Sequence, residues 1–215
     1  MGQRVDKNRK ISKDRVRNNR KPKNKIIIAV EGKNKTEKLY FNNFDDGKKS
    51  YSIMFTKGND PDPLTLVKRL SEEIKRIGLD LTDGDIAYCV FDTDDNPNKN
   101  KIITEAKNLA KKNNIKVITS TPSIELCFLL HYEYTTASMN NEKVISKLKK
   151  YYPKYEKNIN IYDAISSYLQ TAIENSKKLE RYQLTNNKII GTVEANPSTE
   201  IYKIVEELLN EKYNI

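Results

Sequence analysis

The sequence predicts an α/β fold: a mostly parallel twisted sheet flanked by helices, with a C-terminal helical extension. Three observations predict it. Short apolar runs rich in β-branched and aromatic residues recur at 25–30, 51–55, 86–91 and 115–119, without the polar alternation of a half-exposed strand. Between them lie segments with apolar residues at helical spacing. After about Ser120 the alternation stops and only helical patterns follow.

The first strand, 25–30, reads Lys-Ile-Ile-Ile-Ala-Val. A helix over 36–44 follows, with Leu39, Tyr40 and Phe44 on its apolar face. The strand 51–55 leads into 57–63, where Gly-Asn-Asp-Pro-Asp-Pro marks a turn-rich loop. Leu66, Leu70, Ile74 and Ile77 stand at helical spacing over 64–77. Asp83-Gly84 turns the chain into the strand 86–91, and Asn96-Pro97 breaks it again before a helix over 101–112. The strand 115–119 closes the alternating part. Helices are then expected over 123–132, 141–151, 161–181 and 198–212. The third shows the clearest stripe, from Ile161 through Ile165, Leu169 and Ile173 to Leu179, and Pro197-Ser198-Thr199-Glu200 reads as the start of the last. This divides the chain into a basic flexible arm (1–24), an α/β core (25–135) and a helical extension packed on that core (136–215).

A chain of 215 residues suits one domain with appendages. No long uncharged apolar stretch suggests a membrane helix, and no apolar segment of signal-peptide type follows the basic start, so a cytoplasmic protein is expected. Cys89 and Cys127 lie in apolar runs and read as buried thiols; no cysteine–histidine cluster has zinc spacing. The net charge of +10 is concentrated: residues 1–25 hold eleven Lys or Arg and two Asp. Such an arm attracts nucleic-acid phosphates irrespective of sequence. A solubilising tail or a partner-binding segment would look the same.

The acids point to chemistry. Glu31 ends the first strand, and Asp92-Thr93-Asp94-Asp95 ends the third. In an open parallel sheet, loops after the carboxyl ends of strands form the ligand crevice. If the two strands are parallel neighbours, Glu31, Asp92 and Asp94 converge. Carboxylates two apart on extended backbone face the same way, and Mg²⁺ (or Mn²⁺) takes a few carboxylates plus water and substrate phosphate. Glu31 would hold metal or shuttle a proton, and Asp95 would be a further ligand or support one. Glu125, after the fourth strand, reaches the same crevice edge. It would also interact favourably with its helix N-terminus, as Asp-x-Asp would serve in ordinary loop and cap chemistry. His131, at the end of an apolar helix, reads as packed or capping. Gly32-Lys33-Asn34-Lys35-Thr36 lacks the glycine and spacer of a nucleotide-triphosphate loop, and no dinucleotide fingerprint occurs.

Taken in order, Val30-Glu31-Gly32, Thr36-Glu37, Tyr40-Phe41, Phe91-Asp92-Thr93-Asp94-Asp95, Ser120-Thr121-Pro122-Ser123-Ile124-Glu125, Leu129-Leu130-His131-Tyr132, the run from Tyr152 to Lys157 and Asn196-Pro197-Ser198-Thr199 resemble the RloB family, whose members resemble abortive-infection proteins of AbiL type. Thr121 stands where that family often has Asn, and Cys127 where an aromatic is common. The family is similar to Toprim domains. That resemblance implies Mg²⁺ coordination by Asp92 and Asp94 and acid–base or ligand work by Glu31. It implies a metal-dependent nuclease acting on DNA or RNA in phage defence, with an ATPase partner. The alternative is a non-catalytic nucleic-acid- or ATPase-binding subunit whose acids are structural caps.

Overall fold

A computed structural model describes residues 23–32, 35–58, 60–94 and 96–210. Five strands form one sheet in the order β2-β1-β3-β4-β5. They are β1 (Asn24–Val30), β2 (Tyr51–Phe55), β3 (Ile86–Asp92), β4 (Lys116–Thr121) and β5 (Ser198–Thr199). The first four are mutually parallel, and β5 pairs antiparallel with β4. Each of the first four strands is followed by a helix: α1 (Thr36–Asn42), α2 (Pro63–Ile77), α3 (Lys99–Lys112) and α4 (Glu125–Leu130). The rest is α5 (Asn141–Tyr151), α6 (Tyr162–Ile165), α7 (Leu169–Thr185) and α8 (Ile201–Leu209).

The two faces of the sheet follow from the strand period of two. Ile27 and Ala29 of β1, with Ala87, Cys89 and Phe91 of β3, face Leu66, Val67 and Leu70 of α2 and Ile103, Ala106 and Ala110 of α3. The alternate residues Ile26, Ile28, Val30, Tyr88 and Val90 face Tyr40 and Phe41 of α1, Phe128 of α4 and Ile204 and Leu208 of α8. Both central strands are therefore apolar on both sides, which explains why their sequences do not alternate. Full burial of a side chain such as Leu66 or Leu70 contributes roughly 1.5–3 kcal/mol. A smaller cluster of Leu126, Leu129 and Leu130 with Val144 and Leu179 joins α4 to α5 and α7.

Two of the expected helices differ in the structure. The stripe over 161–181 is interrupted: Ser166–Tyr168 forms a 3-10 turn between α6 and α7. Just before the break the Ala164 carbonyl accepts from the Tyr132 hydroxyl at 3.2 Å, so a neighbour takes a backbone group there. At 198–212 the chain first makes β5. Ser120 pairs with Thr199 and Thr121 with Ser198, and the Ser120 and Thr199 hydroxyls stand 2.8 Å apart. Glu200 N–H donates to the Thr119 carbonyl at 2.8 Å. The polar end of β4 takes these partners, and the helix starts only at Ile201. Among the described residues no helix is long and apolar enough to cross a membrane. The basic arm lies outside the described residues as far as residue 22.

Candidate functional site

The chain runs from β1 outward to β2, crosses back to β3 on the other side of β1, and then continues to β4. Because α1 covers one face and α2 and α3 the other, the strand order reverses between β1 and β3. That is where an open α/β sheet binds its ligand. Glu31 and Asp92 sit there, one residue past β1 and at the last position of β3. The Glu31 N–H donates to the Val90 carbonyl, which fixes the loop after β1 against β3.

The loop after β3 is held by the loop after β4. Thr93 N–H donates to the Ser120 carbonyl at 2.9 Å and Asp94 N–H to the Pro122 carbonyl at 3.1 Å. The buried Thr93 hydroxyl donates to that of Thr121 at 2.8 Å. Extended backbone stops before Asp94, whose φ is +53°. Asp94 therefore reaches the crevice by a left-handed turn, where the Asp-x-Asp spacing predicts extended chain. Glu31, Asp92 and Asp94 line one pocket of about 220 Å³ together with Gly32, Asp60, Lys99, Asn141 and Lys157. A narrow recess beside it is lined by Thr36, Glu37, Asp92, Glu125 and Lys157, so Asp92 borders both.

In the wider pocket the Lys99 ammonium ion-pairs with Asp94 at 2.5 Å and lies 3.7 Å from Glu31. A cation thus already bridges acids from two strand ends. Burial still pushes the Glu31 carboxyl up to about 7, against the opposing pull of Lys99 and with help from Asp94. In the recess, Glu125 is buried, accepting from the Ser123 hydroxyl at 2.6 Å and the Tyr155 hydroxyl at 3.0 Å. Glu37 is equally buried and its Oε2 has no hydrogen-bond partner. Burial, with the nearby Glu125 charge, raises Glu37 to about 7 although Lys157 pulls the other way. Asp92, between the two groups, is pushed well above the carboxylate range by burial and by the Glu37 and Glu125 charges.

Four of the expected acids, Glu31, Asp92, Asp94 and Glu125, thus meet at one edge of the sheet; Asp95 lies outside the described residues. Glu37, Lys99 and Lys157 join them without having been expected there. Glu37 did carry a signal: with Tyr40, Phe41 and Phe44 it falls on the apolar stripe of α1, and a charge on such a stripe is buried. Lys99 and Lys157 lie in polar stretches that look like any solvated surface. Lys157 is placed by Asn158, whose N–H donates to the Thr36 hydroxyl at 3.1 Å and whose side chain accepts from Lys35 N–H at 2.9 Å. His131 is buried, and its Nδ1 donates to the Cys127 carbonyl at 2.9 Å, a packed role as expected.

As the side chains stand, no three acidic, cysteine or histidine groups among the described residues are arranged to hold a metal ion. The donor set is nevertheless one of hard oxygens, with an unpartnered buried carboxylate oxygen on Glu37 and an ammonium between Glu31 and Asp94. Buried acids of this kind take up a proton or a counter-cation, and oxygen donors suit Mg²⁺ or Mn²⁺. A family model described as RloB-like protein matches residues 26–208. No curated protein and no solved structure matches the chain.

Proposed function

The chain belongs to the RloB-like family, and from that premise we propose that it is a Toprim-like, divalent-metal-dependent nuclease, acting on DNA or RNA in phage defence beside an ATPase partner. The observation that carries this reading is the meeting of Glu31, Glu37, Asp92, Asp94 and Glu125 at the switch point, with the Lys99 cation between two of them. Asp92 and Asp94 would hold the metal, with Glu31 beside them, after the Lys99 ammonium swings off Asp94. When bound, the metal would stabilise charge at phosphorus and make a water more acidic. Glu31, raised to about 7, is suited to exchange a proton near neutral pH. Displaced from Asp94, Lys99 would face the phosphate and offset its charge. The acidic walls would keep phosphate out until the cation is present.

The test uses purified protein with and without its ATPase partner, given Mg²⁺ or Mn²⁺ and mixed DNA and RNA. Cleavage is expected, with Glu31→Gln and Asp92→Asn each lowering it at least about a hundredfold while melting as folded proteins. The parent should also gain thermal stability from either metal, and Asp92→Asn should not. Cleavage unchanged in both variants would sink the proposal. Defence that survives both substitutions in cells would favour a non-catalytic binding subunit instead.

A further inference from the structure

Apart from the acidic crevice, the strongest surface feature is the segment that borders it twice. Asn141, at the start of α5, and Lys157, past its end, both line the crevice. Residues 141–157 hold six lysines against Glu142 and Glu156, in a body that is otherwise near neutral. Lys143, Lys147, Lys150 and Tyr151 fall on one face of α5 at helical spacing, and Lys154 follows in the next turn. Lys143, Lys150 and Lys154 are exposed.

Aromatic rings are laid into this basic strip. Tyr151 and Tyr132 are stacked, their planes 2° apart and their centroids separated by 4.9 Å. Tyr168 packs 5.6 Å from Tyr132. Tyr151 and Tyr168 are 44% and 47% exposed, which is unusual for large rings already in contact with others. The Tyr151 ring is held in place, because its hydroxyl donates to Glu133 at 2.8 Å and Glu133 is braced by Lys147 at 2.5 Å. A fixed, open aromatic face beside lysines is what an unpaired base and its phosphate require. The helix places Tyr151 about 15 Å from Asn141, or about four stacked nucleotides at about 3.4 Å each.

We propose that α5 and the turn after it form the track that leads single-stranded nucleic acid into the crevice, with phosphates along Lys143, Lys150 and Lys154 and a base stacked on Tyr151. This rests on the nucleic-acid reading given above and adds the strand type and path. A duplex keeps its bases paired and gains nothing from the open ring.

The test measures binding of labelled single strands and duplexes to the full chain carrying Asp92→Asn, so that cleavage does not interfere. Tyr151→Ala should weaken single-strand binding about tenfold and duplex binding far less, whereas Tyr151→Phe, which keeps the ring and its stack on Tyr132 but not the Glu133 hydrogen bond, should weaken it much less than Tyr151→Ala. Replacing Lys143, Lys150 and Lys154 together by Ala should lower the slope of log affinity against log salt by about two. These lysines are exposed, so that variant also reports on the track if Tyr151→Ala unfolds. Parent-like affinity and slope in the variants, or an equal loss for duplex, would overturn the proposal. Cleavage by the unsubstituted protein is scored separately. Weakened binding with no cleavage keeps the track and discards the nuclease, while cleavage with unaltered binding does the reverse.

Discussion

Glu37 sits in a recess with Asp92 and Glu125, one carboxylate oxygen lacking a partner. Its folded-state value of about 7 lies above the ordinary 4.5, so the folded protein holds this proton more tightly than the unfolded chain does. Stability is therefore present at low pH and lost as pH rises from about 4.5 through about 7. Glu37→Gln removes that loss. Without divalent metal, it should stabilise the protein by on the order of 2–3 kcal/mol at pH 8 and by little at pH 5, measured by urea unfolding. His131 runs the other way. Burial lowers it to about 4, so its contribution is present above about 6.5 and lost as pH falls toward 4. It is the chain's only histidine, so its ring signals in a proton NMR titration need no assignment; a midpoint near 6.5 would contradict its burial. At this scale the acids ending strands were legible because strand ends are easy to read. The cations that answer them, Lys99 and Lys157, were not, because nothing local distinguishes a lysine that folds back over a crevice from one in water.

Among the elements, α2 shows how local rules set boundaries that matter to the crevice. Asp62 accepts from Thr65 N–H at 3.0 Å and Pro63 takes the first helical position, while Gly78 ends the helix at φ +65°. Asp62→Ala should cost about 1 kcal/mol, and Asp62→Asn much less, in thermal or chemical unfolding. The four parallel strands and six of the eight helices, α1 to α5 and α8, follow the periodicity of the sequence within a few residues. The failures have a common cause. Ser198 and Thr199 form a strand only because Ser120 and Thr121 offer an edge to pair with, and the break at Ser166–Tyr168 occurs inside an apolar stripe that continues across it. Periodicity sees the face an element buries; it does not see the neighbour that claims its backbone.

For the molecule as a whole, β5 and α8 make residues 198–209 part of the sheet and of the core beneath α1 and α4. A chain cut after residue 197 loses Ile201, Ile204, Val205 and Leu208, all buried, and leaves the outer edge of β4 without its partner strand. It should fail to give a cooperative melting transition, as judged by calorimetry. The Ser120–Thr199 contact closes a separation of 79 residues, and it lies on the strand that leads directly to Glu125. All five crevice carboxylates lie between residues 31 and 125, yet the piece that closes the sheet comes from residues 198–209. Such long-range pairing is formed late. The acidic edge is therefore left unbraced until β5 docks on β4, and the folding of residues 198–209 sets when the crevice takes its final shape.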